Sequence, residues 1–183
     1  MHHNDSILLQ WFHSPETREK GYTAIIAKYQ QPLYWHIRRL VIAHADADDV
    51  LQNVMLKAWK GLDNFREESQ LYTWLYRIAT NESISFLEKE KRRGMVNMDE
   101  ELANSSAISQ LQAEPHFNEA QIEWKLQLAI QQLPEKQRIV FNLRYFEAMT
   151  YEDMSQVLET SVGALKASYH HAVKKIEEFI INR

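Results

Sequence analysis

The sequence predicts an all-α chain of two small helical domains joined by a flexible acidic linker, and three observations carry that prediction. Apolar residues recur at helical spacing in three separate blocks, whereas no alternating strand pattern bounded by turn residues stands out. Glycine and proline number only four each. Gly61 and Gly94 follow helical runs, where a C-cap glycine belongs, and Pro134 sits where a first-turn proline is tolerated. The acidity gathers in the middle: residues 1–93 carry 13 basic and 12 acidic groups, residues 94–120 none and 5, and residues 121–183 carry 8 of each. The expected boundaries are therefore a first domain over 1–93, a linker over 94–120 and a second domain over 121–183.

At 183 residues, 45% of them hydrophobic, the chain can bury one core or two small ones. The opening stretch, MHHNDSILLQWFHSPETREK, lacks both a basic start and a small-residue cleavage site, so a cytoplasmic protein is expected. No apolar run approaches membrane-spanning length, so no direct membrane insertion is expected. There is no cysteine, which excludes a disulfide framework, a thiolate nucleophile and a thiolate zinc site.

The first helical block to carry functional groups is DADDVLQNVMLKAWK, from Asp46 to Lys60. Asp46 reads as its N-cap, and further carboxylates in the first turn suit the helix dipole. Val50, Leu51, Val54, Ala58 and Trp59 would form the inner face. Asp48, Asp49, Gln52 and Asn53 include outward positions, a polar and acidic patch suited to a basic partner helix; a plain solvated helix start has the same pattern.

The next block, FREESQLYTWLYRIATNESISFLEKEKRR, runs from Phe65 to Arg93 as a polar loop and a long aromatic helix. It ends in Lys89, Lys91, Arg92 and Arg93. Aromatics beside a basic cluster suit stacking on unpaired bases and holding phosphates. The other reading is structural, with Trp74, Leu75 and Ile78 in the core and the basic end complementing the dipole.

Between the domains, GMVNMDEELANSSAISQLQAEPHFNEA is rich in Ser, Asn, Ala and Gln with weak periodicity, as a linker is.

The last block, from Leu133 to Phe179, reads as a helix-turn-helix. Thr150 and Asp153 form a capping-box-like pair ahead of a short helix over Tyr151 to Leu158. Glu159 then occupies a turn position that often needs positive φ, at a cost of roughly 1 kcal/mol for a residue other than Gly. Ser161 offers the next N-cap. Val162, Leu165, Tyr169, Ala172 and Ile176 form the stripe expected to be buried, and Gly163, Lys166, Ala167, His170, His171 and Lys174 face away on a helix narrow enough for a major groove. A plain helical hairpin is the alternative. Ser155, small and midway along the first helix, favours the closer crossing of the DNA-binding motif.

No enzyme, metal or cofactor is expected. His170 and His171 point about 100° apart on a helix, a poor geometry for shared ligation. The aspartates of DADADD lack the glycine of a calcium loop, and His36 and His44 are expected at packing edges.

Taken in order, these blocks resemble the extracytoplasmic-function group of bacterial sigma factors, initiation subunits of RNA polymerase. The resemblance covers about residues 20–93 and 121–180. DADDVLQNVMLKAW is similar to the family's region two core-binding helix, FREESQLYTWLYRIATN to its promoter-melting segment, and the block from Leu133 to Ile176 to region four. It implies that Asp49, Gln52 and Asn53 contact the clamp coiled coil of the polymerase largest subunit. It implies that Glu67, Glu68, Ser69 and Gln70 capture a base flipped from the minus-ten element, while Tyr72, Tyr76, Arg77, Asn81, Lys89, Arg92 and Arg93 line the opened strand. Ser161, Gly163, Lys166, Ala167, His170, His171 and Lys174 would meet the minus-thirty-five element. The acidic linker would thread toward the RNA exit path. The implied partners are core RNA polymerase, promoter DNA and an anti-sigma factor, commonly membrane-anchored in the family.

Two departures bear on specificity. The family's recognition helix often carries arginines where this chain has Ser168, His171 and Val173, and a serine where it has Ala167. Histidine and serine cannot reproduce the bidentate guanine contact of arginine, so a different sequence, or DNA shape, would be read. Two other functions share the fold elements: a sigma-mimicking adaptor that sequesters an anti-sigma protein, and a one-component helix-turn-helix regulator. The basic, aromatic melting segment separates them, because neither needs to open DNA.

Overall fold

The computed structural model describes residues 4–93 and 121–181. Its described residues form eight α-helices and one 3-10 turn, with no strand. They divide into two compact units, one of the described residues up to Ile84 and one of those from Ser85 on.

In the first unit α1 (Asp5–His13) packs on α2 (Arg18–Val41), and α2 on α3 (His44–Gly61). A 3-10 turn (Leu62–Asn64) and a loop lead to α4 (Leu71–Arg92), which runs past the boundary at Ile84, so that its residues from Ser85 on count with the second unit. The close approach of α1 and α2 depends on Gly21, where a Cβ would stand 2.8 Å from the carbonyl carbon of Trp11. Leu8, Phe12, Ile25, Leu33, Ile37, Leu40, Val54, Leu75 and Tyr76 are buried behind it. Asp5 fastens the start of α1 to α2, accepting from Tyr29 Oη at 2.7 Å and from Lys28 Nζ at 2.6 Å. Arg18 donates twice to Asp63, both at 2.7 Å, while its guanidinium lies 4.2 Å from the Phe12 ring centroid. Pro32 stands inside α2, where its ring removes one backbone donor from the helix.

The structure corrects several local expectations. α3 starts at His44 behind Ala43, which makes no side-chain cap, so Asp46 is a first-turn carboxylate rather than the N-cap. Leu51 and Trp59 are half-buried, whereas Ala47 joins Val50, Val54 and Ala58 inside. Gly61 is not a left-handed C-cap but the last residue of α3, with φ −88°. Its lack of a side chain makes room for Trp74, whose ring a Cβ would meet at 2.9 Å. His36 is not at an edge: it is fully buried, with Nε2 2.9 Å from Thr80 Oγ1, and burial pushes its pKa down to about 3. His44 is exposed, its Nδ1 2.9 Å from Tyr34 Oη.

The second unit contains α5 (Gln121–Gln131), α6 (Glu135–Tyr145), α7 (Tyr151–Leu158) and α8 (Val162–Ile181). Ala129, Ile130, Leu133, Phe141, Ala172 and Ile176 are its centre. Met154, Val157 and Leu165 bury the contact of α7 with α8, and Ser155 is half-buried. Pro134 is the N-cap of α6 rather than a first-turn residue. Gly94 and the whole linker over 94–120 lie outside the described residues.

Candidate nucleic-acid interface

Caps decide where the helices of the second unit begin, and so what they present. Thr150 Oγ1 accepts the Asp153 backbone N–H at 3.1 Å and donates to the Asp153 carboxylate at 2.6 Å. The hydroxyl thus satisfies an orphan amide and is itself held in place. Glu159 follows α7 at φ 50°, ψ 39°, the left-handed conformation expected of that turn position. Ser161 Oγ then accepts the Ala164 N–H at 3.3 Å at the start of α8.

With both helices set by these caps, α8 turns Leu165, Ala172 and Ile176 inward, with Val162 and Tyr169 half-buried. Gly163, Lys166, Ala167, His170, His171 and Lys174 are all exposed, as is Ser161. Of the departures from the family, His171 is on this face, but Val173 packs against the core and Ser168 is half-buried. Lys166 is not an unattached ammonium: its Nζ lies 5.6 Å from the centroid of the Tyr151 ring, and Arg144 Cζ lies 5.1 Å from the same ring.

In the first unit, the loop ahead of α4 exposes Glu67, Glu68 and Gln70 and half-buries Ser69. Glu67 has φ 56°, a left-handed conformation that an L-residue adopts only where its surroundings hold it. Phe65 and Trp74 brace the loop, with ring centroids 5.2 Å apart. Along α4, Arg77, Asn81, Lys89 and Arg92 are exposed, as is Arg93 just past its end, and Tyr72 is half-buried with its ring 4.5 Å from that of Tyr76.

Tyr76 itself is a correction, for its side chain has no exposed surface and cannot stack on an unpaired base. It faces the core because Leu75, Tyr76, Ala79, Thr80 and Ser83 form the inner stripe of α4. Part of the basic end is already paired, Arg93 with Glu90 at 3.1 Å.

On α3, Asp49, Gln52 and Asn53 are exposed. They share their face with Leu56, which is 59% exposed and which the sequence reading passed over. The signal was present: 49, 52, 53 and 56 are one helical row, and an apolar member of a polar row is either buried or reserved for a partner. Trp35 on α2, 50% exposed, was also passed over.

Among the described residues no group of three or more His, Asp or Glu is placed to hold a metal ion. Among the same residues no helix is long and apolar enough to cross a membrane.

Two family models match the chain: Sigma-70 region 2 over residues 25–93 and Sigma-70, region 4 over residues 123–176. An RNA polymerase sigma-H factor of Pseudomonas aeruginosa is 32% identical over 166 residues, covering 87% of this chain and 86% of that protein. An ECF RNA polymerase sigma-E factor of Haemophilus influenzae is 30% identical over 169 residues, covering 88% of each. The fold is shared with the sigma factor RpoE solved with the anti-sigma factor NepR from Bartonella quintana, at TM-score 0.67 and 20% identity over 88% of this chain and 97% of that one. It is shared also with CnrH, solved with the cytosolic domain of CnrY, at TM-score 0.69 and 20% identity over 97% of each chain.

Proposed function

The chain belongs to the extracytoplasmic-function group of the sigma-70 family, and from that premise we propose how its residues divide the work of promoter recognition. It is an alternative sigma factor that directs core RNA polymerase to promoters. The observation that carries this is the presence of regions 2 and 4, in that order, in one chain. It acts by binding and positioning rather than by catalysis, and it works in the cytoplasm, where polymerase and promoter are.

Residues 1–93 bind polymerase and the minus-ten element, 94–120 link, and 121–183 bind the minus-thirty-five element. Asp49, Gln52 and Asn53 dock on the polymerase clamp, with Leu56 adding an apolar contact to their exposed row. Glu67, Glu68, Ser69 and Gln70 take the flipped base, and Tyr72, Arg77, Asn81, Lys89, Arg92 and Arg93 hold the strand. Flipping costs a few kcal/mol, which stacking and hydrogen bonding at such a loop offset. Ser161, Gly163, Lys166, Ala167, His170, His171 and Lys174 meet the minus-thirty-five major groove. RpoE was solved with the anti-sigma factor NepR, which supports an anti-sigma partner for this chain as well.

Docking and DNA reading are separable. Gln52→Ala with Asn53→Ala should weaken core polymerase binding by an order of magnitude or more while leaving promoter choice unchanged. A double variant that binds core normally yet changes promoters would refute the assignment of this face.

A further inference from the structure

Tyr151 begins α7, outside the row of α8 residues assigned to DNA, and yet two cations from different helices converge on its ring. Arg144, near the end of α6, has Cζ 5.1 Å from the ring centroid, and Lys166 on α8 has Nζ at 5.6 Å. Both distances lie within the range of cation–π attraction. The two cations are not equivalent. Arg144 is committed to the fold, since its Nη1 donates to the Met149 carbonyl at 2.9 Å. Lys166 is exposed. The ring is also held: Tyr169 meets it edge-on at 6.5 Å and is itself stacked at 5.8 Å on Phe141 of the core. A rigid chain of rings thus runs from the core to the one lysine at the start of the exposed face of α8.

We propose that Tyr151 is a positioning residue for minus-thirty-five recognition, its ring holding the Lys166 ammonium at one place so that Lys166 discriminates a base instead of pairing loosely with any phosphate. A lysine stem has several rotatable bonds, and an unrestrained ammonium satisfies whichever acceptor lies nearest. An aromatic face narrows that freedom without removing the charge. This inference rests on the minus-thirty-five assignment of α8.

The test is enrichment from a promoter library randomised at the minus-thirty-five element, using reconstituted holoenzyme. The sigma chains are the native one, Tyr151→Phe, Tyr151→Leu, Lys166→Ala and the double variant Tyr151→Leu/Lys166→Ala. Native and Tyr151→Phe should show the same preference at the position read by Lys166. Tyr151→Leu should flatten that preference roughly two- to five-fold, as loss of an exposed cation–π contact implies, and should add nothing in the Lys166→Ala background. A Tyr151→Leu profile that is unchanged, that weakens equally at all positions, or that flattens further when Lys166 is already Ala overturns the proposal, as does an unchanged Lys166→Ala profile. If Tyr151→Leu does not fold, the native chain still decides: Lys166 methylene protons shifted upfield by the ring in NMR support it, and unshifted ones overturn it. Failure of the native holoenzyme to enrich any minus-thirty-five sequence would instead sink the assignment of α8 and this inference with it.

Discussion

His36 and Tyr76 meet in the interior of the first unit with ring centroids 5.0 Å apart, and neither side chain has any exposed surface. A histidine so placed is held neutral, its pKa lowered to about 3 chiefly by burial and secondarily by Arg39. In the unfolded chain it titrates near the ordinary value of about 6.5. Between those values the unfolded state binds the extra proton, so stability falls as pH drops through the window, by up to about 1.4 kcal/mol per pH unit. Urea unfolding between pH 7.5 and 4.5, followed by tryptophan fluorescence, should show this slope in the native chain and a shallower one in His36→Gln. Equal slopes would mean that His36 does not oppose acid.

The burial of Tyr76 separates it from its neighbours on α4. Tyr76→Ala should destabilise the first unit by about 3–5 kcal/mol, the usual result of emptying a large aromatic site. Arg77→Ala, at an exposed position, should cost no more than about 1 kcal/mol of stability, the most an exposed charged group usually contributes, and should lower the yield of open complexes. Thermal melts beside permanganate footprinting of both variants check this. A Tyr76→Ala chain of native stability that fails only in opening would return Tyr76 to the DNA surface.

What the sequence revealed and what it hid follow the range of the interactions. Thr150 with Asp153, Glu159 and Ser161 were legible because a cap or a left-handed turn involves residues within three positions of one another. Tyr76 was misassigned because Tyr72 and Tyr76, four residues apart, lie on one side of α4, and only the rest of the fold, His36 of α2 included, decides which of them is covered. His36 was placed at an edge because its partner, Thr80, is 44 residues away. Asp46 looked like an N-cap because the helix begins two residues earlier, at His44, and neither His44 nor Ala45 carries a capping signal. The row of Leu56 with Asp49, Gln52 and Asn53 was legible but was read only for its polar members.

Glu159 and Thr150 act on the same helix with opposite signs. Glu159→Gly should stabilise the second unit by about 0.5–1 kcal/mol, because glycine occupies φ 50° without the Cβ penalty. Thr150→Ala should cost about 1 kcal/mol by releasing the Asp153 amide. Chemical denaturation of the two variants measures both. A Glu159→Gly chain less stable than the native one would show that the glutamate side chain contributes more than its backbone costs.

The assignment as a sigma factor is tested most directly by transcription with purified components. The chain's charge is nearly balanced outside residues 94–120, so alone it neutralises few phosphates and should bind DNA weakly. Core RNA polymerase mixed with genomic fragments should start at a discrete set of promoters only when this chain is added, and should lose those starts with Gln52→Ala and Asn53→Ala. Tight, sequence-specific DNA binding by the chain alone, with no new starts when core polymerase is present, would contradict it.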